Sequence, residues 1–94
     1  MIRSYGDRDT ERLAAGEKVR QWEPIRGQAE KRLRILDAAG SLGDLAALNS
    51  NRLEALKGSR KGHYSIRVNN QWRLCFNWPK DGPGPSNVEI VDYH

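Results

Sequence analysis

Apolar residues recur along this chain with two different periods, and the change from one to the other divides it. Ile25, Ala29, Leu33 and Leu36 follow at helical spacing, with Ala38 and Ala39 ahead of Gly40, which supplies a stop. Pro24 suits the first turn of that helix, where a missing N–H leaves nothing unpaired. The opposite face carries Arg26, Glu30 and Arg34 at successive i, i+4 positions and reads as solvated, each pair adding ~0.2–0.5 kcal/mol. Upstream, Ile2 to Tyr5 alternates like an edge strand, and Asp7 or Asp9 can cap a brief helix through Leu13 and Ala15 before Gly16.

Leu42, Leu45, Leu48, Leu53 and Leu56 form an apolar connector over the core edge. Asn49-Ser50-Asn51 breaks it, since such side chains favour turns by bonding to their own backbone. From residue 63 the period becomes two. Runs at 63–68 and 71–78 are separated by Asn69-Asn70, a pair that tolerates the positive φ of a tight hairpin. Alternation assigns Tyr64, Ile66, Val68, Trp72, Leu74 and Phe76 to the core face, and leaves His63, Ser65, Arg67, Arg73 and Cys75 on the other. Pro79 to Ser86 cannot continue a strand and reads as an exposed hairpin loop, after which Val88 to His94 forms a further strand. The fold predicted is α+β: a compact single domain over residues 1–94, with N-terminal helices packed on one face of a small antiparallel sheet.

Charge changes the picture more than composition does. Sixteen Lys and Arg against twelve Asp and Glu give +4, which points to an anionic partner without separating RNA, DNA and acidic protein. Cys75 is the single cysteine, so it cannot form an internal disulfide and reads as a small buried strand residue. With no signal-like N-terminus and no stretch approaching the ~20 apolar residues of a membrane span, a soluble cytoplasmic protein without membrane association is expected.

The basic strand face suggests a chemistry. Cleaving RNA through its ribose 2′-hydroxyl needs a base for the hydroxyl proton, a cation beside the crowded phosphorane and an acid for the leaving 5′-oxygen. Glu54, Asp92, Tyr93 or His94 can move protons, while Lys57, Arg67 and Arg73 can hold phosphate. No metal or other cofactor is required. Simpler readings stand beside these: a terminal Tyr-His is often a frayed end, exposed arginines discourage edge aggregation, and Lys57 to Lys61 can be a solvated turn. Trp72 and Trp78 can stack bases, but their parity with Leu74 and Phe76 favours core packing. Histidines at 63 and 94 with one cysteine lack zinc-site spacing, and Lys57-Gly58-Ser59 lacks the upstream glycine of a phosphate loop.

Four motifs in the last third carry a resemblance: Leu56-Lys57-Gly58-Ser59-Arg60, Tyr64-Ser65-Ile66-Arg67-Val68, Gln71-Trp72-Arg73 and the closing Asp92-Tyr93-His94. Together, residues 52–94 resemble the HigB branch of RelE-type bacterial toxins, whereas residues 1–51 agree with it only in length and element order. That resemblance implies a RelE-like fold and a type II toxin–antitoxin system. It implies a metal-independent endoribonuclease that cuts messenger RNA in the ribosomal A site, meeting mRNA and ribosomal RNA there. It also implies a HigA-type antitoxin, of helix-turn-helix kind, through which alone operator DNA is bound. By position, Lys57 and Arg73 match the family's phosphate-contacting residues and Asp92, Tyr93 and His94 its C-terminal cluster; Arg60, Lys61 and Arg67 would grip RNA. Where some members have a histidine three residues before the motif lysine, this chain has Glu54, so the base stays open among Glu54, Asp92 and His94. The alternative is a non-catalytic module of the same fold that binds RNA or antitoxin and acts in transcriptional repression.

Overall fold

Asp7 opens the first helix as its spacing predicts: its carboxylate accepts from Thr10 N at 2.6 Å, at the head of α1 (Arg8–Ala14). A computed structural model describes residues 1–57, 62–79 and 82–92 of the chain. Gly16, at φ +90°, turns the chain after α1. The next helical spacing divides in two. Residues Arg20–Ile25 form a 3₁₀ turn that contains Pro24, and α2 (Arg26–Ala38) follows with Ala29, Leu33 and Leu36 buried. Pro24 therefore lies just before the α-helix.

The leucine connector is more ordered than a break-and-cover segment. Leu42–Ala47 is a short helix, α3, capped by Ser41 Oγ, which accepts from Asp44 N at 3.2 Å. Leu45 is buried beneath it, whereas Leu48 is exposed. In the 3₁₀ turn Asn49–Asn51, the Asn51 amide bonds to distant groups, not to its own backbone. It is fully buried, donates to Leu45 O at 3.1 Å and accepts from Arg32 Nη1 of α2 at 2.7 Å. These bonds tie α2, α3 and the approach to the sheet together.

The sheet has four strands in the order β1 (Glu54–Ala55), β2 (His63–Arg67), β3 (Trp72–Asn77) and β4 (Ser86–Asp92), all antiparallel. The hairpin of β2 and β3 is present, with Arg67 opposite Arg73, but its turn is wider than two residues. Neither Asn69 nor Asn70 has positive φ; Asn69 Oδ1 instead accepts from Gln71 N and Trp72 N, each at 2.8 Å. The side chain thus supplies the turn that left-handed backbone would have made. A bulge near Cys75 shifts the β3–β4 register, and Asn87 takes φ +51° beside it.

Residues 2–5 do not make an edge strand of their own. Tyr5 forms one parallel bridge to Val88, and Ser4 O and Gly6 N bond to Val88 across the β4 edge. Arg3 N donates to Pro85 O, which buries Gly84 and Pro85, so the end of the expected exposed loop is pinned under the N-terminus. The apolar core lies between the helices and one sheet face, with Leu13, Trp22, Leu33, Leu36, Ile66, Leu74, Phe76, Val88 and Ile90 buried. Trp78 is buried too, and half-buried Trp72 meets the edge of Trp22 at 6.1 Å, which gives both sequence-singled tryptophans a packing role. No helix among the described residues is long and apolar enough to cross a membrane.

Candidate active site

The sheet face turned from the helices is built in rows by strand register. Glu54, Ser65, Cys75 and Glu89 are successive partners across β1 to β4, and Arg67, Arg73 and Val91 form the next row. Alternation assigned Ser65, Arg73 and Cys75 to this face correctly, but as an open one. Ser65 is completely buried and Cys75 and Arg73 are 5% and 7% exposed. What the periodicity missed was β1 itself, which extends the sheet past β2 and brings the Arg52 carbonyl over it.

Arg73 organises this face. Its Nε donates to Ser65 Oγ at 2.8 Å, and Nη2 donates to Arg52 O at 2.6 Å and to Ser65 O at 3.3 Å. The same Nη2 stands 3.8 Å from Glu54 Oε2, whose side chain is 48% exposed. The guanidinium therefore crosses β2 toward β1, instead of projecting into solvent as expected. Two like charges opposite each other on a hairpin repel. Arg67, facing Arg73, sends its guanidinium the other way, donating to Asn70 Oδ1 in the hairpin loop. Arg52 has φ +46° and ψ +54°, a left-handed geometry unusual for a side-chain-bearing residue, and its carbonyl is the one that Arg73 holds.

The remaining predicted residues distribute around this centre. Lys57 is exposed just past the β1–β2 pairing, which Leu56 N to His63 O extends by one step at 2.9 Å. Asp92 pairs with Trp72, so alternation turns it to the Leu74 and Ile90 side at the sheet's end, not onto the Arg73 face as expected. There its Oδ2 accepts from Gln71 Nε2 at 3.2 Å. Glu54, Arg67 and Arg73 are thus brought to one side of the sheet, with Lys57 just past the end of β1 and Asp92 set apart. Arg60, Lys61, Tyr93 and His94 lie outside the described residues. Two residues were placed on this face by alternation yet given no role: Ser65, which seats Arg73, and half-buried His63, opposite Asn77. The signal for Ser65 was only partial: alternation put it on the face of Arg73, but the strand that closes over both was not legible.

Chemically, the arrangement offers a partly exposed carboxylate beside a fixed guanidinium, with Lys57 exposed past the end of β1. A carboxylate of this kind can accept a proton, and the cations can stabilise a phosphoryl oxyanion.

Comparisons with known proteins bear on the family and the fold. Toxin HigB-1 of Vibrio cholerae serotype O1 is 52% identical over 48 residues, a segment covering 51% of this chain and 50% of that toxin. Endoribonuclease HigB of Proteus vulgaris is 36% identical over 63 residues, covering 67% of this chain and 65% of that protein. The matched segments thus span half to just under two thirds of these relatives' lengths. Among solved structures, that of the YoeB dimer from Staphylococcus aureus superposes with a TM-score of 0.58 at 19% identity, covering 99% of this chain and 94% of that one, a likeness of fold. Residues 3–94 match the family described as the RelE-like toxin HigB of type II toxin–antitoxin systems, and on that match this chain belongs to the HigB-like toxin family.

Proposed function

We propose that this chain is the toxin of a type II toxin–antitoxin pair, acting as a metal-independent endoribonuclease that enters the ribosomal A site and cuts messenger RNA there. The observation that carries this reading is the Glu54 carboxylate 3.8 Å from the buried Arg73 guanidinium, on the sheet face turned from the helices. Glu54 takes the ribose 2′-hydroxyl proton, and the freed oxygen attacks the adjacent phosphorus. Lys57 and the Arg73 guanidinium stabilise the phosphorane oxygens, and the P–O5′ bond breaks. A proton reaches the leaving 5′-oxygen from His94, and Tyr93 orients the substrate base. The products are a 2′,3′-cyclic phosphate and a 5′-hydroxyl. Arg60, Lys61 and Arg67 hold the RNA backbone. The partners are mRNA, ribosomal RNA and a HigA-type antitoxin, in the cytoplasm.

The burial of Arg73 also favours a second reading. An arginine wholly engaged with its own protein suits a module that binds RNA or antitoxin without cutting.

One assay separates the two: a defined messenger in a reconstituted translation system, with and without ribosomes, with both new ends mapped. Folded wild-type protein should cut the message on ribosomes, and Glu54→Gln should lower the rate by roughly 10²–10⁴-fold, the span associated with losing a general base. Residual ribosome-free cleavage should survive EDTA. Intact messenger in the presence of ribosomes would overturn the catalytic reading, and a 5′-phosphate product would overturn 2′-hydroxyl attack.

A further inference from the structure

Ser65 has no exposed surface and sits where β1, β2 and β3 meet, as the register partner of both Glu54 and Cys75. Its hydroxyl and its carbonyl both accept from Arg73, at 2.8 Å from Nε and 3.3 Å from Nη2. A guanidinium is a rigid plane, so acceptors placed at two of its nitrogens fix both its position and its rotation. Arg52 O, 2.6 Å from Nη2, completes the seat from the β1 side. The nitrogen so oriented is the one that stands 3.8 Å from Glu54 Oε2. An unseated arginine would keep its charge in the protein but could turn about its Cδ–Nε bond, and Glu54 would lose its fixed neighbour.

We propose that Ser65 is a positioning residue for messenger cleavage: its hydroxyl sets the plane of Arg73, and through Arg73 the placement of the Glu54 carboxylate. This rests on the endoribonuclease reading above and adds to it a residue that acts without touching RNA. Ser65 therefore belongs to the turnover of bound substrate and not to its capture. Arg67, with its half-exposed side chain, belongs to capture.

Three variants test it. Ser65→Ala removes the acceptor, Ser65→Cys keeps similar bulk with a poor acceptor, and Ser65→Thr keeps the hydroxyl. The readouts are the solvent exchange of the Arg73 Nε–H proton by NMR and kcat and KM for cleavage on programmed ribosomes. Ser65→Ala and Ser65→Cys should each speed that exchange at least about tenfold and lower kcat by about ten- to a hundredfold with KM little changed, the loss expected from misplacement by about 1 Å. Ser65→Thr should restore both. Should Ser65→Ala not fold, Ser65→Cys decides alone. Unchanged Nε–H exchange overturns the seat whatever the activity. Faster exchange with wild-type kcat overturns the positioning role and leaves the endoribonuclease reading intact. A wild-type protein that seats Arg73 but cuts nothing on ribosomes defeats both, and the exchange result identifies the function as the failing part.

Discussion

A guanidinium with so little exposed surface must find its acceptors inside the protein, and Arg73 finds them at Ser65 and Arg52. Arg73→Ala would leave the Arg52 carbonyl and the Ser65 hydroxyl facing a void. Loss of these charge-assisted bonds should cost about 2–4 kcal/mol, read as a lower urea midpoint. Alternation puts Arg73 on the face away from the core, as an open position, and exposure is where that expectation departs from the structure. Period-two alternation tells which side of a sheet a residue takes but is silent on depth. Depth here comes from β1, a two-residue strand too short to carry a period, and from a left-handed Arg52 that no propensity singles out. A variant that loses cleavage and stability together would therefore say little about phosphate contact, whereas Arg73→Lys, with a single nitrogen and no plane, separates charge from geometry.

At the scale of elements, long periodic segments were legible and short ones were not. The spacing of Ala29, Leu33 and Leu36, the Asp7 cap and the face assignments of β2 and β3 all follow from pattern. The helix α3 did not, because six residues containing Gly43 give less than two turns of period, and its leucines read equally well as cover. The loop before β4 was misjudged for a different reason. Proline and glycine mark a break in pairing, but only the tertiary structure decides whether that break is buried. At Gly84 a methyl group would collide with the Met1 carbonyl oxygen, backbone against backbone. Gly84→Ala should accordingly push the N-terminal crossing off the sheet and destabilise the protein by about 1–3 kcal/mol, with amide exchange rising first at Arg3 and Val88. Of the candidate site, Glu54, Lys57, Arg67 and Arg73 were legible by position. Asp92 was grouped with the Arg73 face, whereas its pairing with Trp72 turns it to the other side, and that register is not legible across a loop of undetermined path.

Across the whole molecule, Tyr5 marks the place where the N-terminal crossing, both long helices and β4 come together. It bridges Val88 and lines a cleft with Leu13, Leu33 and Asp37. Burial, then the negative charges of Asp37 and Glu11, raise its phenol above the ordinary 10.0. A group raised in the folded state stabilises fully below its unfolded value and loses that contribution as pH climbs through the folded one. Wild-type stability should thus fall more steeply than that of Tyr5→Phe as pH rises from about 9 to about 11, measured by urea midpoints. Parallel curves would place the phenol in water.

The closure of the β4 edge by Ser4, Gly6 and Thr10 has a consequence in time. Thr10 Oγ1 accepts from Ile90 N, 80 residues along the chain, and Ser4 Oγ from Asn87 N, 83 residues along. Contacts of that span form late in folding, because a long loop must close before they contribute. During synthesis, the helices and the β2–β3 hairpin emerge with one flank of β3 bare and with Val88 and Ile90 still missing from the core. The sheet is therefore sealed last, when β4 closes the open flank of β3 and its two apolar side chains complete the core.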